Sequence, residues 1–300
     1  MGKSNDHRYV PLTGKKRFKG SRNSSFAARK KLEFSISAAL MSIKNIFSGT
    51  RKSSFDLRCL DDYFTNPLQK FLRLTASRVF YLFDETKNYI HFQNSTSKSA
   101  NREIESFVKS FLEKKYLVFS KRAFFCHPIW FFLGCEPDLI IQEKSRLVLV
   151  EIKGIYAQVN GTFNELGEIH DPERDFANWA HQIQFSLHCT GITEGRLIVV
   201  KYPSFQIISE KSISRCPKYI DENFEKFQAF YLDNILYQNA SLRHFKPALR
   251  KRMKNRIRDM LKNEIELAKN SLMEHYGADD PLSEHFENIN AQFLKYCASK

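Results

Sequence analysis

Apolar positions recur at three- and four-residue steps from Ile104 through Phe107, Val108 and Phe111 to Leu112, the spacing of a helix with one buried face. Lys114 and Lys115 are placed in its last turn, where cations complement the helix dipole. Helical spacing also links Leu57, Leu60 and Tyr63, then Leu68, Phe71 and Leu72, and residues 34–47 (FSISAALMSIKNIF) predict a short amphipathic helix. Beyond residue 115 the pattern changes. Residues 116–120, 138–142, 146–153 and 196–202 are short runs that predict strands, with a helix over 176–189 between the last two. After Pro217 the pattern is helical almost to the end, through Phe224, Phe227, Phe230 and Tyr231. Helix, three strands, helix, strand predicts a mixed α/β core, and no internal repeat is present.

Composition bounds what such a core can be. The 300 residues are 42% hydrophobic, enough for one large domain. No apolar run approaches the roughly 20 residues of a bilayer crossing, so no membrane partner is expected, and the opening MGKSNDHRYVPLTGKKRF lacks the apolar stretch of a secretory leader. The 6 cysteines include no C-x-x-C pair and are expected to be free thiols in a reducing compartment, which argues against structural zinc or an iron–sulfur cluster.

The net charge of +14 is concentrated in two places. Residues 1–60 carry 14 Lys and Arg against 3 Asp and Glu, and residues 241–260 carry 8 against 1, leaving the middle close to neutral. A neutral body with two basic attachments suits a polyanion, because each phosphate neutralised releases counterions. The expected division is a basic, largely disordered arm over 1–54, a globular domain over 55–240 and a basic helical extension over 241–300. KKRFK and ARKK in the arm fit a nuclear-localisation or nucleic-acid patch, while the acid-poor, Ser- and Arg-rich leader also fits mitochondrial import. A nuclear address is favoured, with mitochondrion or cytoplasm left open. The run RHFKPALRKRMKNRIR, residues 243–258, predicts a phosphate-tracking helix with Pro247 near its first turn.

Chemistry gathers in GCEPDLIIQEKSRLVLVEIKG, residues 134–154. If Lys144 and Ser145 are the two loop residues of a hairpin, position 138 stands opposite 151. Opposite residues share a face with Cβ atoms about 4.5–5.5 Å apart, and Lys153, two residues past Glu151, shares it too. One turn choice thus clusters Asp138, Glu151 and Lys153. Two carboxylates so close need a cation between them, and hard oxygen ligands suit Mg²⁺ or Mn²⁺, with the Ile152 carbonyl as a further ligand. Such a metal activates water and stabilises charge on a phosphodiester. A long apolar strand ending in Glu-Ile-Lys puts charge where burial would otherwise continue. There is no G-x-x-x-x-G-K-[ST], hence no ATP-driven motor in this chain. His181 and His188 are read as core or surface residues rather than metal ligands.

Pro137, Asp138, Glu151, Ile152 and Lys153 resemble the PD-(D/E)XK nuclease signature. FFCHPIWFFLGCEPDLI, residues 124–140, is similar to the "HP…LGASPDG" block of the YqaJ-like viral recombinases, the family of phage lambda exonuclease. WAHQIQFSLHCTG, residues 179–191, resembles that family's Q-x-Q helix, and LRLTASRVF, residues 72–80, its "ITAS" segment. The resemblance covers about residues 66–240. It implies a restriction-endonuclease-like α/β core, a central mixed β-sheet flanked by helices, with a helical C-terminal extension. It further implies Asp138 and Glu151 as metal ligands, Lys153 as the catalytic lysine, and Gln182 and Gln184 facing the active site. The family's helical glutamate falls on Glu105, with Glu103 as the alternative. Ser77 stands where the family binds a terminal 5′ phosphate, and its partner arginine falls on Lys70, which lacks the bidentate fork unless Arg73 or Arg78 compensates. Three departures bear on substrate fit: Leu139 replaces the usual Gly, Glu136 replaces a small residue beside the metal site, and Gly154 and Ile155 follow the lysine in place of Cys-Pro.

The expectation is therefore a Mg²⁺- or Mn²⁺-dependent deoxyribonuclease, an exonuclease of the recombination and repair type acting on double-stranded DNA ends. By resemblance alone it would run 5′ to 3′ and assemble as a ring-shaped homotrimer. The alternatives are a non-catalytic DNA-binding protein on the same fold and an endonuclease.

Overall fold

A computed structural model describes residues 37–49, 64, 72–83, 95–158, 161–164, 169–236, 247–277 and 279–298. Most of the basic arm, the helical spacing read from Leu57 to Phe71, and Lys70 lie outside the described residues.

The first described helix, α1, covers residues 37–49 and buries Ile43 and Phe47, as its spacing predicts. Strand β1 (Leu74–Thr75) runs into α2 (Ala76–Phe83). Helix α3 (Ser95–Leu112) follows, its stripe of Ile104, Val108 and Leu112 buried. It ends before Lys114 and Lys115, which sit in a turn closed by Lys115 N–H on the Leu112 carbonyl at 2.9 Å.

The strands are β2 (Leu117–Phe119), β3 (Phe125–Cys126), β4 (Leu133–Cys135), β5 (Leu139–Glu143), β6 (Arg146–Gln158) and β7 (Gly161–Phe163). Helix α4 (Pro172–Thr190) leads to β8 (Glu194–Tyr202) and β9 (Gln206–Ser214). Helix α5 (Tyr219–Phe230), a π-helix (Tyr231–Leu236), α6 (Pro247–Tyr276) and α7 (Pro281–Ala298) complete the chain. The main sheet has the order β2-β5-β6-β8-β9, with β7 pairing on β6, and β1-β4-β3 form a smaller sheet. In the main sheet pairing is antiparallel except between β6 and β8, which are joined by the crossover through α4, and in the smaller sheet β1 runs parallel to β4 while β3 is antiparallel to it.

Alternation along the strands sends two sets of side chains to two faces. Leu139, Ile141, Val148, Val150, Ile152, Ile198 and Val200 pack with the α3 stripe. Ile140, Leu149, Ile155, Leu197 and Val199 pack with Trp179, Ile183 and Leu187 of α4. The predicted mixed sheet with flanking helices is therefore present. The C-terminal helices belong to this second core: Met253, Ile257, Leu261 and Ile265 of α6 and Ile289 and Phe293 of α7 are buried in it.

Helix α4 begins four residues before its predicted start because its cap precedes the apolar pattern. Asp171 accepts from the N–H groups of Glu173 and Arg174, each at 3.1 Å, and Pro172 opens the first turn. Its end is Gly191 at φ 71°, the left-handed conformation of a helix C-cap. Strands β1, β3, β4, β7 and β9 were not expected: the first four span only two or three residues, too few to show a period. In β9 every residue is exposed or part-exposed, as befits an edge strand.

Candidate active site

The turn is the two-residue loop that the hairpin arithmetic requires. Leu139 pairs with Val150, Ile140 with Leu149 and Glu143 with Arg146, leaving Lys144 and Ser145 to connect them, with Lys144 at φ 57°. One step beyond the last pair, Asp138 and Glu151 face each other. There the ladder stops, because Pro137 has no N–H to continue it. The Asp138 carboxylate takes over the pairing: its Oδ2 accepts from Ile152 N–H at 2.8 Å. Strand β6 runs on beside β8 as far as Tyr156 opposite Tyr202, so the sheet splays open at Glu151 and Lys153.

By parity Glu151 and Lys153 point to the α4 side, where Gln182 meets them. Lys153 Nζ lies 3.0 Å from Glu151 Oε1 and donates to Gln182 Oε1 at 2.8 Å. Gln182 Nε2 in turn donates to Glu151 Oε1. Glu151 is 3% exposed, so this network keeps a buried carboxylate and a nearly buried ammonium mutually satisfied. One glutamine carries two bonds at once, which fixes both charged side chains.

From the α3 side comes Glu105, and not Glu103. The two are about 200° apart on a helix. Glu103 Oε2 accepts from Tyr202 Oη at 3.2 Å on the other flank. Glu105 instead lines a cleft of about 200 Å³ with Asp138, Glu136, Gln182, Ser77 and Arg122. Burial raises the pKa of Glu105, and the nearby Asp138 raises it further. Burial also raises Asp138, against the lowering by Lys153 and the Ile152 N–H. Both acids thus sit where ionisation is costly without more positive charge. Gly154 lets the two layers meet: a Cβ there would lie 2.7 Å from Ile104 Cδ1, so glycine permits the close seat of α3 that brings Glu105 to the strands.

Two sequence expectations are corrected. Gln184, two residues past Gln182, points away from the cleft; its amide donates to the Ser214 carbonyl at 2.7 Å and accepts from Cys216 N–H at 2.8 Å, tying the end of β9 to α4. Arg73 cannot stand in for an arginine at Lys70, because it is fully buried and its Nε donates to the Phe131 carbonyl at 2.8 Å. Ser77 is exposed in the first turn of α2 with its hydroxyl 3.2 Å from Thr75 Oγ1. His181 stacks on Phe83 at 3.6 Å and His188 bonds the Cys216 carbonyl at 2.8 Å, both outside the cluster.

Arg122 escaped the sequence reading. It is an exposed side chain with its guanidinium 3.8 Å from Glu105, and it lowers the pKa of both Glu105 and Asp138. Lys121 beside it reaches the Tyr296 carbonyl at 2.7 Å instead. Nothing periodic marks this connection between two short strands, so no sequence signal distinguished the pair.

The donors fit a divalent cation of the hard type. Among the described residues no group of three or more His, Cys, Asp or Glu side chains is gathered to hold a metal on its own. Mg²⁺ asks for less, since it keeps several waters and is held by one or two carboxylates plus substrate phosphate. The facing carboxylates of Asp138 and Glu151, with Glu105 beside Asp138 in the cleft, fit that requirement.

The sequence matches no protein-family model and no curated protein. Among solved structures it is similar to the alkaline exonuclease LHK-Exo from Laribacter hongkongensis, at 16% identity and a TM-score of 0.39 over 57% of this chain and 91% of that one. The same exonuclease in complex with dAMP is matched at 16% identity and a TM-score of 0.41, over 58% and 92%.

Proposed function

We propose that this chain is a Mg²⁺- or Mn²⁺-dependent deoxyribonuclease, an exonuclease that degrades double-stranded DNA from its ends in the 5′ to 3′ direction. The observation that carries the reading is the convergence of Asp138, Glu151, Lys153 and Gln182 where β5 and β6 part, with Glu105 brought to the same cleft by α3. Asp138, Glu151, the Ile152 carbonyl and Glu105 would hold the cation. Its chemistry in such a site is activation of water and charge stabilisation at the phosphodiester.

The chain's own groups divide the remaining work. The Lys153 ammonium, fixed by Glu151 and Gln182, holds the attacking water in line and offers positive charge to the developing oxyanion. Gln182 prevents Lys153 from collapsing wholly onto Glu151 by sharing its donors. Ser77, exposed at the start of α2, offers its hydroxyl and the helix N-terminus to a terminal phosphate. Arg122 offsets the acids that line the cleft, easing the approach of a polyanion.

Linear and closed circular duplex, each with and without Mg²⁺, decide the matter. Mg²⁺-dependent loss of linear DNA alone, abolished by Lys153→Ala and Glu151→Ala with DNA binding retained, is the expected result. Cutting of circles would make it an endonuclease, and no degradation of any DNA would leave a binding protein.

A further inference from the structure

The fold gives one flank of α6 a stripe of cations. At 100° per residue, Lys251, Lys254, Arg258, Lys262 and Lys269 fall on one side of the helix. The opposite flank is mixed in sign, with Arg252, Arg256, Asp259 and Glu274. The stripe does not belong to a free tail. The adjoining seam of Met253, Ile257, Leu261 and Ala268 is buried against the core. Two contacts fix its direction: Lys254 ion-pairs with Asp233 of the π-helix, and Lys269, which also pairs with Glu266 at 2.9 Å, stands 5.8 Å from the centre of the Trp130 ring. Lys251, Arg258 and Lys262 are exposed. From Lys251 to Lys269 the stripe is about 27 Å long, roughly 8 base pairs of B-DNA at 3.4 Å each.

The stripe connects to the cleft. Asp233 lines a groove with Leu82, Phe83 and the exposed Lys226. Leu82 and Phe83 end α2, whose first residues, Ala76 and Ser77, line the catalytic cleft. One helix of 8 residues, about 12 Å long, therefore bridges cleft and groove.

We propose that the Lys251–Lys269 flank of α6 is a phosphate track that holds duplex DNA beyond the reacting end, with Lys226 in the groove as the intermediate contact. The proposal rests on the nuclease reading for the identity of the polyanion, and its test needs no cleavage. Affinity for a duplex of about 25 base pairs is measured in EDTA from about 50 to 200 mM KCl, a range over which phosphate contacts show as a slope. Two charge-matched pairs are compared: Lys251→Gln with Arg258→Gln on the stripe, and Arg252→Gln with Arg256→Gln on the other flank. Each lost contact lowers the slope by about 0.9, so the stripe pair is expected to flatten it by about 2 and the control pair to leave it near the wild-type value. On a duplex of about 8 base pairs, confined to the cleft, both pairs should bind like wild type. Equal slopes for the two pairs, or no change in either, overturn the track. Wild-type binding with a stripe-dependent slope but no Mg²⁺-dependent degradation would sink the nuclease reading and leave the track standing.

Discussion

Replacing Gly154 by alanine tests how the sheet and α3 together position Glu105. Gly154 is not among the residues at positive φ, so on backbone grounds alanine alone would stabilise the protein by about 0.4–1 kcal/mol. Packing opposes that gain. The new methyl would lie 2.7 Å from Ile104 Cδ1 and 3.0 Å from Tyr156 Oη, where ordinary contact begins near 3.4 Å, so Ile104 must withdraw by about 0.7 Å. Ile104 is 1% exposed, so its Cδ1 can withdraw only against other buried side chains of that core. The Tyr156 hydroxyl is also bonded to Asn101 of α3, so both neighbours transmit the displacement to that helix. Overpacking of this kind costs about 1–3 kcal/mol, which outweighs the backbone gain and leaves a net loss of about 1–2 kcal/mol. Glu105 follows Ile104 directly, and a misplacement approaching 1 Å costs up to about 100-fold in rate. Ile104→Val deletes the offending carbon and costs about 0.5–1.5 kcal/mol alone. In the double variant it should relieve the strain, giving a favourable coupling of about 1 kcal/mol. Urea unfolding of the four proteins, with cleavage rates at saturating Mg²⁺, measures both. Additivity within about 0.5 kcal/mol together with an unchanged rate for Gly154→Ala would refute the account.

Gln182→Ala should lower the cleavage rate by roughly 10- to 100-fold, the scale of losing a positioned hydrogen bond at the reacting centre, whereas Gln184→Ala should lower only the melting temperature. Glu105→Gln should weaken Mg²⁺-dependent thermal stabilisation and cleavage, while Glu103→Gln should leave both unchanged; titrating Mg²⁺ against melting temperature for each variant checks this. Saturating Mg²⁺, at about 100 times its Kd, should stabilise the wild type by about 2.7 kcal/mol, and Asp138→Asn should abolish that shift. Burial holds His285 down to about 4, its ring meeting the Tyr276 hydroxyl at 2.9 Å. A lowered histidine contributes stability that is intact above the usual pKa near 6.5 and is lost as pH falls toward 4, up to about 3 kcal/mol here. Urea midpoints between those pH values should slope accordingly, and His285→Gln should flatten the slope; the buried His127, also lowered, adds in the same direction.

What was legible in the sequence was local or nearly so. The hairpin register followed from counting across a two-residue turn, because strand pairing of such short range is set by the loop alone. The long helices α3 and α6 announced themselves through sustained spacing, and the edges of α4 missed only by the length of a cap. The sequence favoured Glu105, with Glu103 as the alternative, and the roughly 200° of helix rotation between them places Glu105 alone in the cleft. The same rotation decided against Gln184: a Q-x-Q pair on a helix cannot put both amides on one side, whatever its resemblance.

The amino-acid sequence by itself determined that an acid pair and a lysine share one face of a hairpin, and that positive charge is concentrated outside the central domain, although β6 runs on to Gln158 and does not end at Lys153. Only the tertiary structure decided which helix face completes the site, that Arg122 enters it from a connection with no pattern, and that the basic C-terminal helix is bound into the core with its cations along one flank. The physical reason is range. Alternation and turn length act between residues a few positions apart, while the seating of α3 on Gly154 or of α6 on the sheet depends on surfaces brought together from distant parts of the chain.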